Sequence, residues 1–132
     1  MNRIFKGLLL AASASFLVAC GGPSPLSKAL DHQIAMLKIV EANKSDVAKA
    51  TSELDQYVKT NEAAFKEILK GVGEMKAETK TKSASEAMGV LQDHSDQLKA
   101  RAELQKKLRE EALPVFRDPK VSELLDTIRT PW

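Results

Sequence analysis

Residues 46–78 read DVAKATSELDQYVKTNEAAFKEILKGVGEMKAE, and the apolar spacing in this stretch decides the fold. Val47, Leu54, Val58, Phe65, Ile68, Val72 and Met75 recur at steps of three, four and seven, which sets them along one face of a helix. The spacing predicts a helix over 46–78, with Thr51 and Asn61 as polar interruptions of its seam. Asn61 reads in two ways: as a polar core residue that fixes register at some cost in stability, or as a residue lying near water. Glu62 and Lys66 stand one turn apart and predict an ion pair on the outer face.

Upstream, Leu26, Leu30, Ile34, Leu37 and Val40 keep helical spacing, with Met36 and Ile39 widening the stripe, and predict a helix over 26–42. Asn43-Lys44-Ser45-Asp46 predicts a break, with Ser45 or Asp46 as the next cap. An unbroken helix from Leu26 to Met75 would run about 75 Å, with too little chain left to cover it. His32 falls on the polar side and reads as solvated surface.

Downstream, Lys76 to Lys82 forms a polar turn, and Ser83 with Glu86 has the capping-box pattern. A helix then runs to about Leu113 through Met88, Leu91, Leu98, Leu104 and Leu108, with Glu103 and Lys107 as a second surface pair. His94, beside this stripe, reads as a partly buried, hydrogen-bonded histidine rather than a ligand, because no donor cluster at metal spacing accompanies it. Pro114 ends the helix, and Asp118-Pro119 starts another over 119–129 that buries Val121, Leu124, Leu125 and Ile128.

These lengths predict an all-α fold: a long antiparallel helical hairpin, with two shorter helices completing a small up-down bundle at its open end. The closed tip, 74–85, has only itself to pack on. Folding the chain about Thr81 sets Gly73 opposite Gly89, with Gly71 nearby, so these three glycines read as a close helix approach or a hinge. They are candidate interaction residues, as is Trp132, which either docks on the bundle or is offered to a partner.

The first twenty residues carry a different kind of information. Arg3 and Lys6 precede a charge-free run from Gly7 to Ala19. Thirteen residues give roughly 20 Å of helix against roughly 30 Å of hydrocarbon, which suits a secretory signal better than a membrane span. The run ends in Leu17-Val18-Ala19-Cys20, followed by Gly21, and this pattern resembles the lipobox of bacterial lipoprotein signal peptides. The resemblance covers residues 1–22 and implies a signal peptide over 1–19, cleavage before Cys20, and diacylglycerol on the Cys20 thiol. It further implies a lipidated tether over 20–25 ahead of a helical domain over 26–132. With Gly21 rather than an acid after the cysteine, it implies the outer membrane, facing the periplasm, where the organism has two membranes. One acyl chain holds a protein weakly and two or three hold it firmly.

Of 20 basic and 18 acidic groups, two basic ones lie in 1–19, so the rest of the chain is formally neutral. That balance and the scarcity of aromatic residues argue against nucleic acid as a partner. No paired acids in a pocket, nucleophile motif or phosphate loop is present, so no catalytic residue, metal ligand or cofactor is expected. The expectation is therefore a non-enzymatic lipoprotein of the cell envelope. It is held to the membrane by acyl chains on Cys20 and acts as an adaptor or spacer for an envelope protein or its own copy. The alternative is a periplasmic chaperone-like or carrier module, using Met36, Met75 and Met88 for adaptable contact.

Overall fold

A computed structural model describes residues 23–130, which form a small all-α bundle. Helix α1 spans Pro25–Ala42. Ser24 caps it by accepting the Ser27 N–H at 3.1 Å, and Pro25 takes the first position, where a missing N–H costs nothing. Pro25 is thus the first residue of the helix. The helix buries Leu26, Ala29, Leu30, Met36, Leu37 and Val40.

Asn43 ends α1, and its buried amide donates to the Ile39 carbonyl at 2.9 Å and to Glu53 Oε2 at 2.6 Å. Asp46 then caps the next helix through the Lys49 N–H at 3.0 Å. The expected break is in place, but the long helix after it is two: α2, Val47–Thr60, and α3, Glu62–Thr81. Between them Asn61 has φ −107° and ψ 13°. Its amide donates to the Tyr57 carbonyl at 2.8 Å, where its own backbone N–H also arrives, at 3.1 Å. A side chain that competes for the carbonyl four residues back bends a helix without ending its ladder. The Phe65 N–H still reaches the Asn61 carbonyl at 2.8 Å.

The second arm repeats this device. It divides into α4, Ala84–Asp93, and α5, Ser95–Glu111, at His94, whose Nδ1 lies 2.6 Å from the Val90 carbonyl. Ser83 caps α4 through the Glu86 N–H, as the sequence predicts. Helix α5 stops at Glu111, and Pro114 sits inside the short α6, Leu113–Phe116. Asp118 caps α7, Pro119–Leu125, through the N–H groups of Lys120 and Val121. A 3₁₀ turn, Asp126–Ile128, finishes the last helix earlier than its apolar spacing suggests.

Helix α1 is the middle of the bundle, packed mainly on α5 and α3, while α2 packs on α7. The core joins Met36, Leu37 and Val40 of α1 to Leu54, Phe65, Ile68, Leu108, Val121 and Ile128. Helix α5 runs parallel to α1: His94 meets Ser24, Gln97 meets Ser27, Arg101 meets Gln33, and Lys107 meets Glu41 at 2.9 Å. Lys107 therefore pairs across helices and not with Glu103. The Glu62–Lys66 pair forms along its own helix, at 3.6 Å. Helix α3 runs the other way, with Phe65 beside His32 and Gly71 against Pro25. Both arms consequently continue past the start of α1. From Gly71 to Thr81, α3 extends roughly 15 Å beyond Pro25. No residue between Val72 and His94 is buried, and Met88 is 60% exposed.

Candidate functional site

Of the sequence-identified interaction and lipid-attachment residues, only the three glycines fall within the described residues. Leu17, Val18, Ala19, Cys20 and Trp132 lie outside the described residues. Gly73 and Gly89 do not make a close helix approach: a Cβ on either would meet nothing within 4 Å. Gly71 does make one, but with the start of α1. A Cβ there would come within 2.6 Å of Pro25 Cγ. On the other side of the same turn, Ser24 Oγ lies 2.5 Å from His94 Nε2. A carbonyl can only accept, so the contact with Val90 puts a proton on His94 Nδ1. In the neutral ring Nε2 is then an acceptor and the Ser24 hydroxyl donates to it. The first described turn is thus held between Gly71 on α3 and the bend at His94. His94 is 8% exposed and fully hydrogen-bonded, as its place in the sequence suggests.

His32 departs from its expected exposure. It is half-buried, 5.0 Å from the Phe65 ring and edge-on to it, with Nδ1 2.7 Å from the Tyr57 hydroxyl. Burial holds its imidazole below the ordinary value of 6.5, against a smaller upward pull from Asp31. Burial, with Asp31 adding to it, pushes Tyr57 up to about 12. The fold thus favours neutral His32, and the unfolded chain takes up more protons as pH falls through 6.5. This contribution is complete above that pH and is lost on acidification from 6.5 down through the lowered folded-state value. Thermal melts at about pH 7.5 and about pH 5.5 should therefore differ less for His32→Gln than for the parent chain. Equal differences would show that the ring contributes nothing to the acid response.

One cleft is a feature that the apolar spacing does not reveal. It encloses about 630 Å³ between α1, α5 and the C-terminal elements. All four arginines of the described residues, Arg101, Arg109, Arg117 and Arg129, line it, and no lysine does, although lysine is the commoner cation of the chain. Asp126 is the one acid among the lining groups. Every ion pair among the described residues uses a lysine: Lys59, Lys66, Lys107 or Lys120. Arg109, Arg117 and Arg129 are exposed. None of the three is in an ion pair with another described residue.

The floor of the cleft is fixed by hydrogen bonds. Gln33 on α1 donates to the Ile128 carbonyl at 2.7 Å and accepts from Arg101 Nη1 at 2.6 Å. Arg101 also reaches the Thr130 hydroxyl at 3.2 Å. Burial lowers the Arg101 pKa from its ordinary value. Beside the arginines stand Leu37, Leu113, Phe116 and Leu125. The cleft therefore offers fork-shaped cation donors and an apolar wall together, a combination suited to a ligand with acidic and apolar parts.

Sequence reasoning missed this site because a formally neutral chain hides how its charges are distributed. The available signal was that, after Arg3, arginine occurs only in 101–129. Among the described residues no group of His, Cys, Asp and Glu could hold a metal ion, and no helix is long and apolar enough to cross a membrane. The chain matches no protein-family model, no curated protein and no solved structure.

Proposed function

We propose that the chain is a non-catalytic lipoprotein of the cell envelope, an adaptor tied to a bilayer through Cys20 that presents its arginine cleft to a partner. The observation that carries this reading is the clamped start of α1. Only residues 21–23 lie between Cys20 and Ser24, so the chain allows their Cα atoms to be at most roughly 14 Å apart. Because Ser24 and Pro25 are seated against His94 and Gly71, that leash sets the position of the whole bundle. The overhanging tip lies on the leash side. The cleft begins at Gln33, roughly 14 Å along α1 in the other direction. An adaptor needs such a division, with one end committed to a surface and the other free to bind.

The Leu17-Val18-Ala19-Cys20 pattern supports the anchor, and Gly21 favours the outer membrane where there are two. In a double-membrane bacterial host the parent chain should sediment with membranes, and Cys20→Ser should move to the soluble envelope fraction. An intact mass showing retained Met1 and an unmodified thiol would overturn the anchor.

A further inference from the structure

We infer that the arginine cleft is a binding site for an acidic peptide segment that carries apolar side chains between its carboxylates. The inference rests on the adaptor reading for what such a segment would belong to: a partner protein beyond the membrane surface. Its chemical basis is independent of the anchor.

Two features select this ligand class. The first is the spread of charge. Arg101 and Arg109 are eight residues apart on α5, so their backbones stand roughly 12 Å apart, and Arg117 and Arg129 line the same cleft from the ends of α6 and the 3₁₀ turn. A ligand with several carboxylates can pair with more than one of these arginines at a time. An extended peptide, rising roughly 3.3 Å per residue, meets that span with carboxylates three or four residues apart. The second is the apolar wall. Leu113, Phe116 and Leu125 are half-buried and line the same cleft, so alternate side chains of the segment have a surface to bury. Free phosphate or a sugar acid would use the arginines and leave that wall wet.

The residue type points the same way. Guanidinium groups pair with carboxylates in a two-point fork and lose less hydration than ammonium groups in doing so. The lysines are already paired along helix surfaces or scattered outside the cleft.

The test uses the full chain, purified in mild detergent, and a fluorescein-labelled peptide of about eight residues that mixes glutamate with leucine, long enough to span both α5 arginines. Fluorescence polarisation should show saturable binding. Substituting glutamine for its glutamates, or serine for its leucines, should weaken it. Arg109→Ala with Arg117→Ala should weaken binding roughly tenfold or more, the scale of lost charge-assisted hydrogen bonds. Lysine at both positions should restore only part of this. Both side chains are exposed, so the fold should survive, which far-ultraviolet circular dichroism verifies. Lys99→Ala with Lys106→Ala removes the same charge from the same helix outside the cleft and should change binding little.

The inference is overturned if the two double variants weaken binding equally, because attraction would then be diffuse. It is overturned if inorganic phosphate displaces the peptide as well as an unlabelled copy does, because the site would then take a simple anion. It is also overturned if no peptide binds, or if the chain instead self-associates through the same arginines. Binding is read without a membrane, and anchoring is read by fractionation, so either proposal can fail without the other.

Discussion

Leu108→Ala should lower the free energy of unfolding by about 3 kcal/mol, the usual loss for truncating a fully buried leucine. The size of this effect follows from how α5 is attached. The helix reads SDQLKARAELQKKLREE, and Leu108 is its one buried residue; Leu98 and Leu104 are only half-buried. The remaining attachments are polar. Gln97 donates to the Ser27 carbonyl at 3.1 Å and to Asp31 at 2.8 Å, Arg101 donates to Gln33, and Lys107 pairs with Glu41. Hydrogen bonds of this kind contribute about 1 kcal/mol net, and partly exposed ion pairs less. Leu108 therefore outweighs any one of them. A domain of this size has about 5–10 kcal/mol in total, so the variant should lose roughly 10–20 °C in Tm. Leu69→Ala, at a leucine 38% exposed on α3, should cost less than about 1 kcal/mol in the same urea titration. A loss at Leu108 no larger than at Leu69 would mean that polar contacts alone hold α5. The cleft would then keep its wall without an apolar anchor.

The elements that depend on periodicity and capping were legible in the sequence; those that depend on a single polar side chain were not. Asp46, Ser83 and Asp118 each cap the helix that their sequence context assigns to them, because a cap is local chemistry between residues two or three apart. The bends at Asn61 and His94 escape a periodicity argument. Val58 and Phe65 keep their seven-residue step across Asn61, so the apolar pattern reads straight through the place where the backbone turns. What bends it is an amide or imidazole N–H directed at the carbonyl four residues back. The same patterns are frequent in helices that stay straight. The bends have an architectural result: α2 can cover α7 while α3 covers α1. An unbroken helix would commit both faces to one direction. The central place of α1 is not anticipated by the sequence: its stripe, widened by Met36 and Ile39, reads as that of a short helix completing the bundle, whereas α1 packs on both α5 and α3. The cleft depends on where arginine rather than lysine was placed, and net charge carries no trace of that.

The three glycines test the clamp at the start of α1 directly, because one substitution should have opposite signs at positions of the same helical class. Alanine is favoured over glycine within a helix by about 1 kcal/mol. At Gly73 and Gly89 the added methyl enters open space, so Gly73→Ala and Gly89→Ala should each stabilise the domain by up to about that amount. At Gly71 the methyl would stand 2.6 Å from Pro25 Cγ and 2.7 Å from Pro25 Cβ. A proline ring is closed onto its own backbone and cannot swing aside as a long side chain would. Its neighbours add constraint, since Ser24 is bonded to His94 and Leu26 is fully buried. Forcing the two apart costs about 1–3 kcal/mol, which exceeds the helical gain, so Gly71→Ala should be destabilising on balance. Pairing it with Pro25→Ala removes the obstructing ring, and the double variant should recover part of the loss, giving a favourable coupling between two residues 46 positions apart in the chain. Urea midpoints of the single and double variants give all the terms. If Gly71→Ala raised the midpoint as Gly73→Ala does, α3 would not be pressing on the start of α1. The first turn of α1 would then be free to move, and the proposed separation of anchor from cleft would lose its support.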